Sequence, residues 1–297
     1  MKFYNAFGLR IRSELTIPQF HEVNSKDADV EILFEDVPSS ISKTEENGIV
    51  YEANENEFLM KLEKIAYYYV KDGEKISIQK KCNDENEIRL FLIAPVISAL
   101  LHQRSLMPIH ASAVIKNKKA ILFSGRSGSG KSTLAAHMLK YGFSLHSDDI
   151  SSIKIIENTA YSNPGYPGLK LWDDAIQKID TDFNRSIPLR TGINKFHNSI
   201  SQFYSKPAKI CCLFILEIHH FKNLIIEELK GIEKFDAIRK NIYRRRFAVK
   251  KVTHEEYFKT IQIIARQSSI FRITRPKKPN LLDDIIKIIS EKIENLI

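Results

Sequence analysis

Apolar and polar positions change rhythm about a third of the way along the chain. In the first 80 residues the apolar positions come in short, alternating runs. Phe3 to Arg12 alternates loosely, Val30 to Phe34 reads as a strand, and Ile65 to Val70 is aromatic and β-prone. Asp72-Gly73 separates that run from Lys75 to Gln79, which signals a hairpin. Residues 42–57 are polar and acidic, and an exposed loop is expected there. Asn86 to Arg104 is the first helix: Ile88, Phe91, Leu92, Pro95, Val96, Ala99 and Leu100 fall near one stripe.

From residue 107 strands alternate with helices. Ile109 to Val114 and Ala120 to Ser124 read as strands, and a helix follows from Lys131 to about Tyr141, closed by Gly142. Phe143 to Ser147 and Ile150 to Ile156 flank an acidic pair. Ile210 to Ile218 and Leu224 to Leu229 are neighbouring strands. Residues 232–248 and 255–266 are expected to be helical, Ile270 to Ile273 a short strand, and Leu281 to Ile297 an amphipathic helix. The pattern predicts two units, a β-rich one over 1–85 and an α/β one over 86–297. No repeat or low-complexity tract interrupts it.

Composition narrows the class. The chain has 297 residues, 43% of them hydrophobic and 27% charged, enough for a packed core. A net charge of +9 draws acidic partners, but nucleotide, phosphopeptide, acidic peptide and nucleic acid all qualify. Cys82, Cys211 and Cys212 form no CxxC pair, so neither a zinc site nor a disulfide framework is indicated. The most apolar window, Leu90 to Leu101, is broken by Pro95 and falls short of the roughly 20 residues a bilayer span needs. The N-terminus lacks an apolar leader segment. A cytoplasmic protein with no membrane partner is expected.

Chemistry enters at residues 125–132, Gly-Arg-Ser-Gly-Ser-Gly-Lys-Ser, a G-x-x-x-x-G-K-[ST] phosphate loop without a mismatch. It stands between a buried-strand pattern and a helix pattern, the order the chemistry demands. Gly125, Gly128 and Gly130 let the backbone turn and aim N–H groups at phosphate oxygens. Arg126, Ser127, Ser129 and Thr133 complete the segment expected to hold ATP. Lys131 reaches the β- and γ-phosphates, and the Ser132 hydroxyl sits on Mg²⁺. Asp148-Asp149 follows one helix and one strand later. Two carboxylates beside a triphosphate can divide metal binding from proton abstraction. Asp149 with Ser132 is the candidate metal pair, while Asp148 and Asp149 both remain candidates for the base. His110 lies fifteen residues before Gly125. Read alone, it is more often a packed residue than a functional one. Arg244-Arg-Arg246 with Lys250 and Lys251 reads as a solvated helical face or as a contact for phosphate or acidic peptide.

At these residues the sequence resembles the HPr serine kinase/phosphorylase family and, more distantly, the ATP-dependent phosphoenolpyruvate carboxykinases. His110-Ala-Ser-Ala113, Gly125 to Thr133 and Ser147-Asp-Asp149 match the order in which those families bring histidine, loop and acidic pair to the phosphates. The nearest resemblance is to HPr-kinase-related proteins encoded beside ribosomally made peptides, including lasso-peptide kinases. It extends over Tyr4 to Leu15, Leu100 to Arg104, Asn163 to Trp172 and Phe271 to Pro276. The resemblance implies an α/β fold, an HPr kinase/carboxykinase-type P-loop domain with a mixed sheet behind a smaller β-rich α+β domain. It implies His110, Lys131, Asp148 and Asp149 as catalytic residues, ATP and Mg²⁺ as cofactors, and a peptide or small-protein substrate with an acceptor serine. DNA and RNA are not expected partners. A homo-oligomer stays open, since HPr kinases are hexameric. The arginine-containing signature of HPr kinases is not visible; Pro164 to Trp172 stands in its place, with Lys170 its basic residue. Two other functions stay in view, a nucleotide-binding protein without phosphotransfer and a carboxykinase-like lyase.

Overall fold

The computed structural model describes residues 1–173, 185–188, 195–220, 223–249, 251–277 and 281–296. It is an α/β chain with two nine-stranded sheets and a small three-stranded one.

The first sheet comes from residues 2–80. Its strand order starts at His21–Glu22 and runs through Lys2–Ala6, Leu9–Ser13, Val30–Phe34, Lys75–Lys80, Ala66–Lys71 and Glu57–Leu62 to Tyr51–Ala53 and Glu46–Asn47. Residues 42–57 therefore contribute edge strands where a loop was expected. Those strands are two and three residues long, too short for a periodicity to register. Asp72 and Gly73 both take left-handed φ angles, of 54° and 68°, as the expected hairpin requires. Phe7 and Gly8 do the same, at 57° and 79°, in the two-residue turn that pairs Ala6 with Leu9.

The first helix spans Glu85–Phe91 and Ile97–Gln103, joined by a wider π turn at Leu92–Val96. Pro95 has no N–H to give the helical ladder, which accounts for the widening there. Ile88, Leu92, Val96, Ile97 and Leu100 are fully buried in the same apolar cluster as Ile11, Ile32, Tyr68 and Ile76 of the first sheet. The helix thus packs with the residues before it. Ile150, Tyr166 and Phe247 join that cluster, so one core reaches from the first sheet toward the acidic pair.

The second sheet is mixed. Lys119–Gly125, the strand entering the glycine loop, pairs antiparallel with Ala111–Lys116 and parallel with the long strand Ala208–His219. Ala111–Lys116 also pairs with Ser144–Ser147 at the edge. Ser269–Pro276 pairs parallel with Ala208–His219, which sets its C-terminal end beside the glycine loop. Apolar clusters lie on both faces. One holds Phe123, Leu134, Phe214 and Ile289, and the other Leu122, Leu213, Ile261 and Ile264.

Residues 232–248 depart from a single helix. The helix ends at Lys240, and a 3-10 turn occupies Arg245–Phe247. Lys250 and the side chain of Lys251 lie outside the described residues.

Candidate active site

Chain reversals at strand ends gather the site. His110 occupies a bend between Met107–Ile109 and Ala111–Lys116. Its N–H donates to Asn241 O at 2.8 Å, and its carbonyl accepts from the Ser124 hydroxyl at 2.8 Å. The backbone is held on both sides, so the ring direction is set. Asp148 and Asp149 lie in the turn between Ser144–Ser147 and Ser151–Ile156. Asp149 adopts φ 69°, a left-handed conformation that aspartate tolerates better than most residues. That reversal sends the two carboxylates to different partners.

Asp148 is buried and fully engaged. Its Oδ1 accepts from the Ser112 hydroxyl at 2.7 Å and the Ser132 hydroxyl at 2.8 Å, and its Oδ2 accepts from the Lys170 N–H at 2.8 Å. Asp149 keeps partial exposure. Its Oδ2 accepts from Lys170 Nζ at 2.9 Å, and its Oδ1 lies 3.5 Å from His110 Nδ1. The Ser132 hydroxyl therefore addresses Asp148, whereas the sequence reading paired Ser132 with Asp149 for the metal. The positive φ at Asp149, which turns that carboxylate toward Lys170 and His110, is the physical reason.

Lys131 is buried at the start of the helix Lys131–Leu139. Its ammonium donates to Gly125 O at 2.9 Å, to Arg126 O at 3.1 Å and to His110 Nε2 at 3.0 Å. These bonds identify the histidine tautomer. An ammonium can only donate, so Nε2 accepts; Nδ1 lies 2.9 Å from the Asp149 carbonyl, so Nδ1 carries the proton. Burial pushes the His110 pKa down, and the Lys131 charge pushes it further, against a weaker upward pull from Asp149 and Asp148. His110 is thus a neutral imidazole bridging Lys131 and Asp149.

The glycine loop turns sharply. Gly125, Gly128 and Gly130 take φ of 139°, 82° and 100°, and a Cβ at Gly128 would meet open space. A Cβ at Gly125 would land on the carbonyl of Leu216 in the parallel neighbour strand. Arg126 and Ser127 are exposed, Ser129 is buried, and Thr133 is half-buried on the helix. The Ser129 hydroxyl has no hydrogen-bond partner among the described residues. A buried hydroxyl in that position implies a further acceptor.

Sequence reasoning left three contributors out of the site. Lys170, on the strand Gly168–Trp172, is buried yet cationic. Burial opposes its charge, but the Asp149 carboxylate and further groups around Tyr166 and Asp148 outweigh burial and raise its pKa. It was legible only as the one basic residue of its segment. Arg275 donates from Nη2 to Ser129 O at 3.1 Å, placing a half-buried guanidinium over the loop. Tyr243 lies against His110 in a tilted arrangement, with ring centroids 5.2 Å apart and planes 35° from parallel. Tyr243 carried no sequence signal and Arg275 was legible only within the resemblance at Phe271 to Pro276, because both come from elements more than a hundred residues beyond the loop.

Among the described residues no cluster of three or more His, Cys, Asp or Glu side chains forms a ready metal site. No helix among them is long and apolar enough to cross a membrane. No protein-family model matches the sequence, and no curated protein matches it. Among solved structures, the chain is similar to the HPr(Ser) kinase/phosphatase from Coxiella burnetii, with a TM-score of 0.34 and 12% identity over 63% of this chain and 91% of that one. A superposition that loose fixes neither a family nor an activity.

Proposed function

We propose that the chain is a kinase that transfers the γ-phosphate of ATP to a serine hydroxyl of a peptide or small protein. The observation that supports this reading is the bridge His110 makes between Lys131 and Asp149. It sets Lys131 on one edge of the imidazole and, on the other, the Asp149 carbonyl at 2.9 Å with the Asp149 carboxylate 3.5 Å away.

The residues fit a nucleotide phosphate. The glycine φ angles, the open space at Gly128 and the unsatisfied Ser129 hydroxyl describe a loop built around an anion. In this reading Lys131 leaves one of its loop carbonyls for the γ-phosphate, and Arg275 supplies a second positive group over the loop. Ser132 with Asp148 is the pair that would hold Mg²⁺, which neutralises phosphate charge when bound. Asp148 also fixes Lys170 through its N–H, so the acidic pair, the loop helix and the strand at Lys170 form one hydrogen-bonded unit.

Asp149 is the base in this scheme. The acceptor oxygen forms a bond to the γ-phosphorus, the bond from that phosphorus to ADP breaks, and the hydroxyl proton passes to the Asp149 carboxylate. His110, neutral and donating to the Asp149 carbonyl, holds the turn in place. The test is transfer of label from γ-labelled ATP to an array of serine peptides. Wild-type protein labels peptides and Asp149→Asn does not; equal labelling by both would discard the assignment.

One observation favours a second reading. Asp149 is ion-paired with Lys170 at 2.9 Å, and a carboxylate so paired is a weak base. A protein that binds ATP without transferring phosphate would keep such a pair as structure. Tight ATP binding without labelling of any acceptor would favour it.

A further inference from the structure

The segment behind His110 carries charge that the chemistry above does not use. Asn241 O holds the His110 N–H, Ile242 bridges Ile109, and the Tyr243 N–H donates to Pro108 O at 2.8 Å. Tyr243 is thereby brought against the His110 ring at a 35° tilt, while Nε2 of that ring is turned toward Lys131. The next residue, Arg244, takes φ 47°, left-handed for a residue with a long side chain. Past it, Phe247 is buried against Tyr51 and Phe58, with ring centroids 4.8 and 4.7 Å away. Between the two anchors Arg244, Arg245 and Arg246 are all exposed.

Arg244 is held in place as well as exposed. Its guanidinium carbon lies 5.5 Å from the Tyr243 ring centroid and 5.5 Å from that of Phe247. Among the described residues no carboxylate stands within ion-pair distance of the three guanidinium groups. A cation fixed over two rings, one ring away from His110 and without a counter-ion among the described residues, suits an anion brought by a partner.

We propose that Arg244, with Arg245 and Arg246, recognises acidic residues flanking the hydroxyl that accepts the phosphoryl group. The inference rests on the kinase reading and names its substrate class, a serine peptide with carboxylates beside the serine. The nucleotide's own phosphates are served by the loop, Lys131 and Arg275, leaving these arginines for the acceptor. Single-stranded nucleic acid suits the patch less well, because Phe247 is buried and offers no face for a base.

The test uses two fluorescent peptides, a serine flanked on each side by two glutamates and its glutamine counterpart. Each is titrated by anisotropy into the full chain and into Arg244→Gln, Arg244→Gln/Arg246→Gln and Arg244→Lys. Wild-type protein is expected to prefer the glutamate peptide by roughly tenfold, in line with a charge-assisted hydrogen bond. The double variant should lose that preference, and Arg244→Lys should keep part of it. Equal affinity for the two peptides, or a preference that survives in the double variant, overturns the proposal. So does an oligouridylate that binds more tightly than the glutamate peptide with the same arginine dependence. Thermal melts of the variants, expected to match wild type because the arginines are exposed, separate lost recognition from lost fold. ATP binding, lost in Lys131→Ala and kept in the arginine variants, reads the kinase assignment independently.

Discussion

Lys131 Nζ and His110 Nε2 are 3.0 Å apart, and the lysine is the donor. The imidazole is therefore neutral, with its proton on Nδ1, and nitrogen NMR of the ring is expected to show Nε2 unprotonated at neutral pH. His110→Ala should keep ATP binding, since the loop does not need the ring. It should slow transfer by about 100-fold, because the turn that aims the Asp149 carboxylate loses its support and a misplaced catalytic group costs on that scale. Lys131→Ala should lose ATP binding altogether. Single-turnover labelling and nucleotide titration measure the two effects separately.

The acidic pair should answer substitution in two different ways. Asp148→Asn would put an amide donor among three donors, and a loss of about 2 kcal/mol is expected in chemical denaturation. Asp149→Asn removes the carboxylate from Lys170, which is buried. The partial exposure of Asp149 limits that cost to about 1–3 kcal/mol. Adding Lys170→Met should restore stability without restoring transfer. If the double variant regained activity, Asp149 would not be the base.

Acid should destabilise the fold well before carboxylates titrate. Burial pushes His102 down to about 4, with its Nε2 on the Tyr243 carbonyl and its Nδ1 on the Tyr257 hydroxyl. Burial also pushes His197 down to about 4, assisted by Lys170. Each ring stays neutral when folded but charges when unfolded below the ordinary histidine pKa of about 6.5, so the unfolded state binds more protons. Stability should be complete above about pH 6.5 and should fall continuously toward pH 4. His102 alone accounts for a loss on the order of 3 kcal/mol. Urea denaturation across that range checks it, and His102→Gln should flatten the slope.

Gly125→Ala should disable the loop mainly through its backbone, with the new methyl group also 3.0 Å from the Ser129 hydroxyl. The new methyl group would land on the Leu216 carbonyl, and φ 139° is closed to alanine. ATP binding is expected to fall at least tenfold, whereas Gly128→Ala, facing open space, should be milder. Equal effects would mean that backbone strain, not the contact with the parallel strand, dominates.

Much of the second sheet was legible because most of its strands are long enough to show their own pattern, although the three-residue Met107–Ile109 and the strand Thr159–Asn163 were not foreseen. The strand, loop and helix at 119–139, and the turn at Asp148, follow from local sequence. The quoted segments near residues 7 and 166 meet in space, since Phe7 lies 6.0 Å from Tyr166 and a side chain at Gly8 would collide with Asn163. What stayed hidden is non-local. Lys170 joins the site only through the register of a third sheet, and Tyr243 only because a helix stops at Lys240. Arg244 looked like part of that helix until its left-handed turn separated three arginines from it. No periodicity reports where a chain leaves its helix to bury a distant phenylalanine.

The hairpin tip at Phe7 carries one last implication, which concerns synthesis. Phe7 and Phe20 enclose Tyr166, which is buried beside Lys170 and lies about 160 positions downstream. A chain made from its amino end would complete the first sheet long before the tyrosine it shelters leaves the ribosome. Until then the aromatic socket waits open, and Lys170, which follows Tyr166 in the chain, has not yet reached Asp149. Phosphate chemistry should therefore be the last property the nascent protein gains, and a chain shorn of its first strands should never gain it.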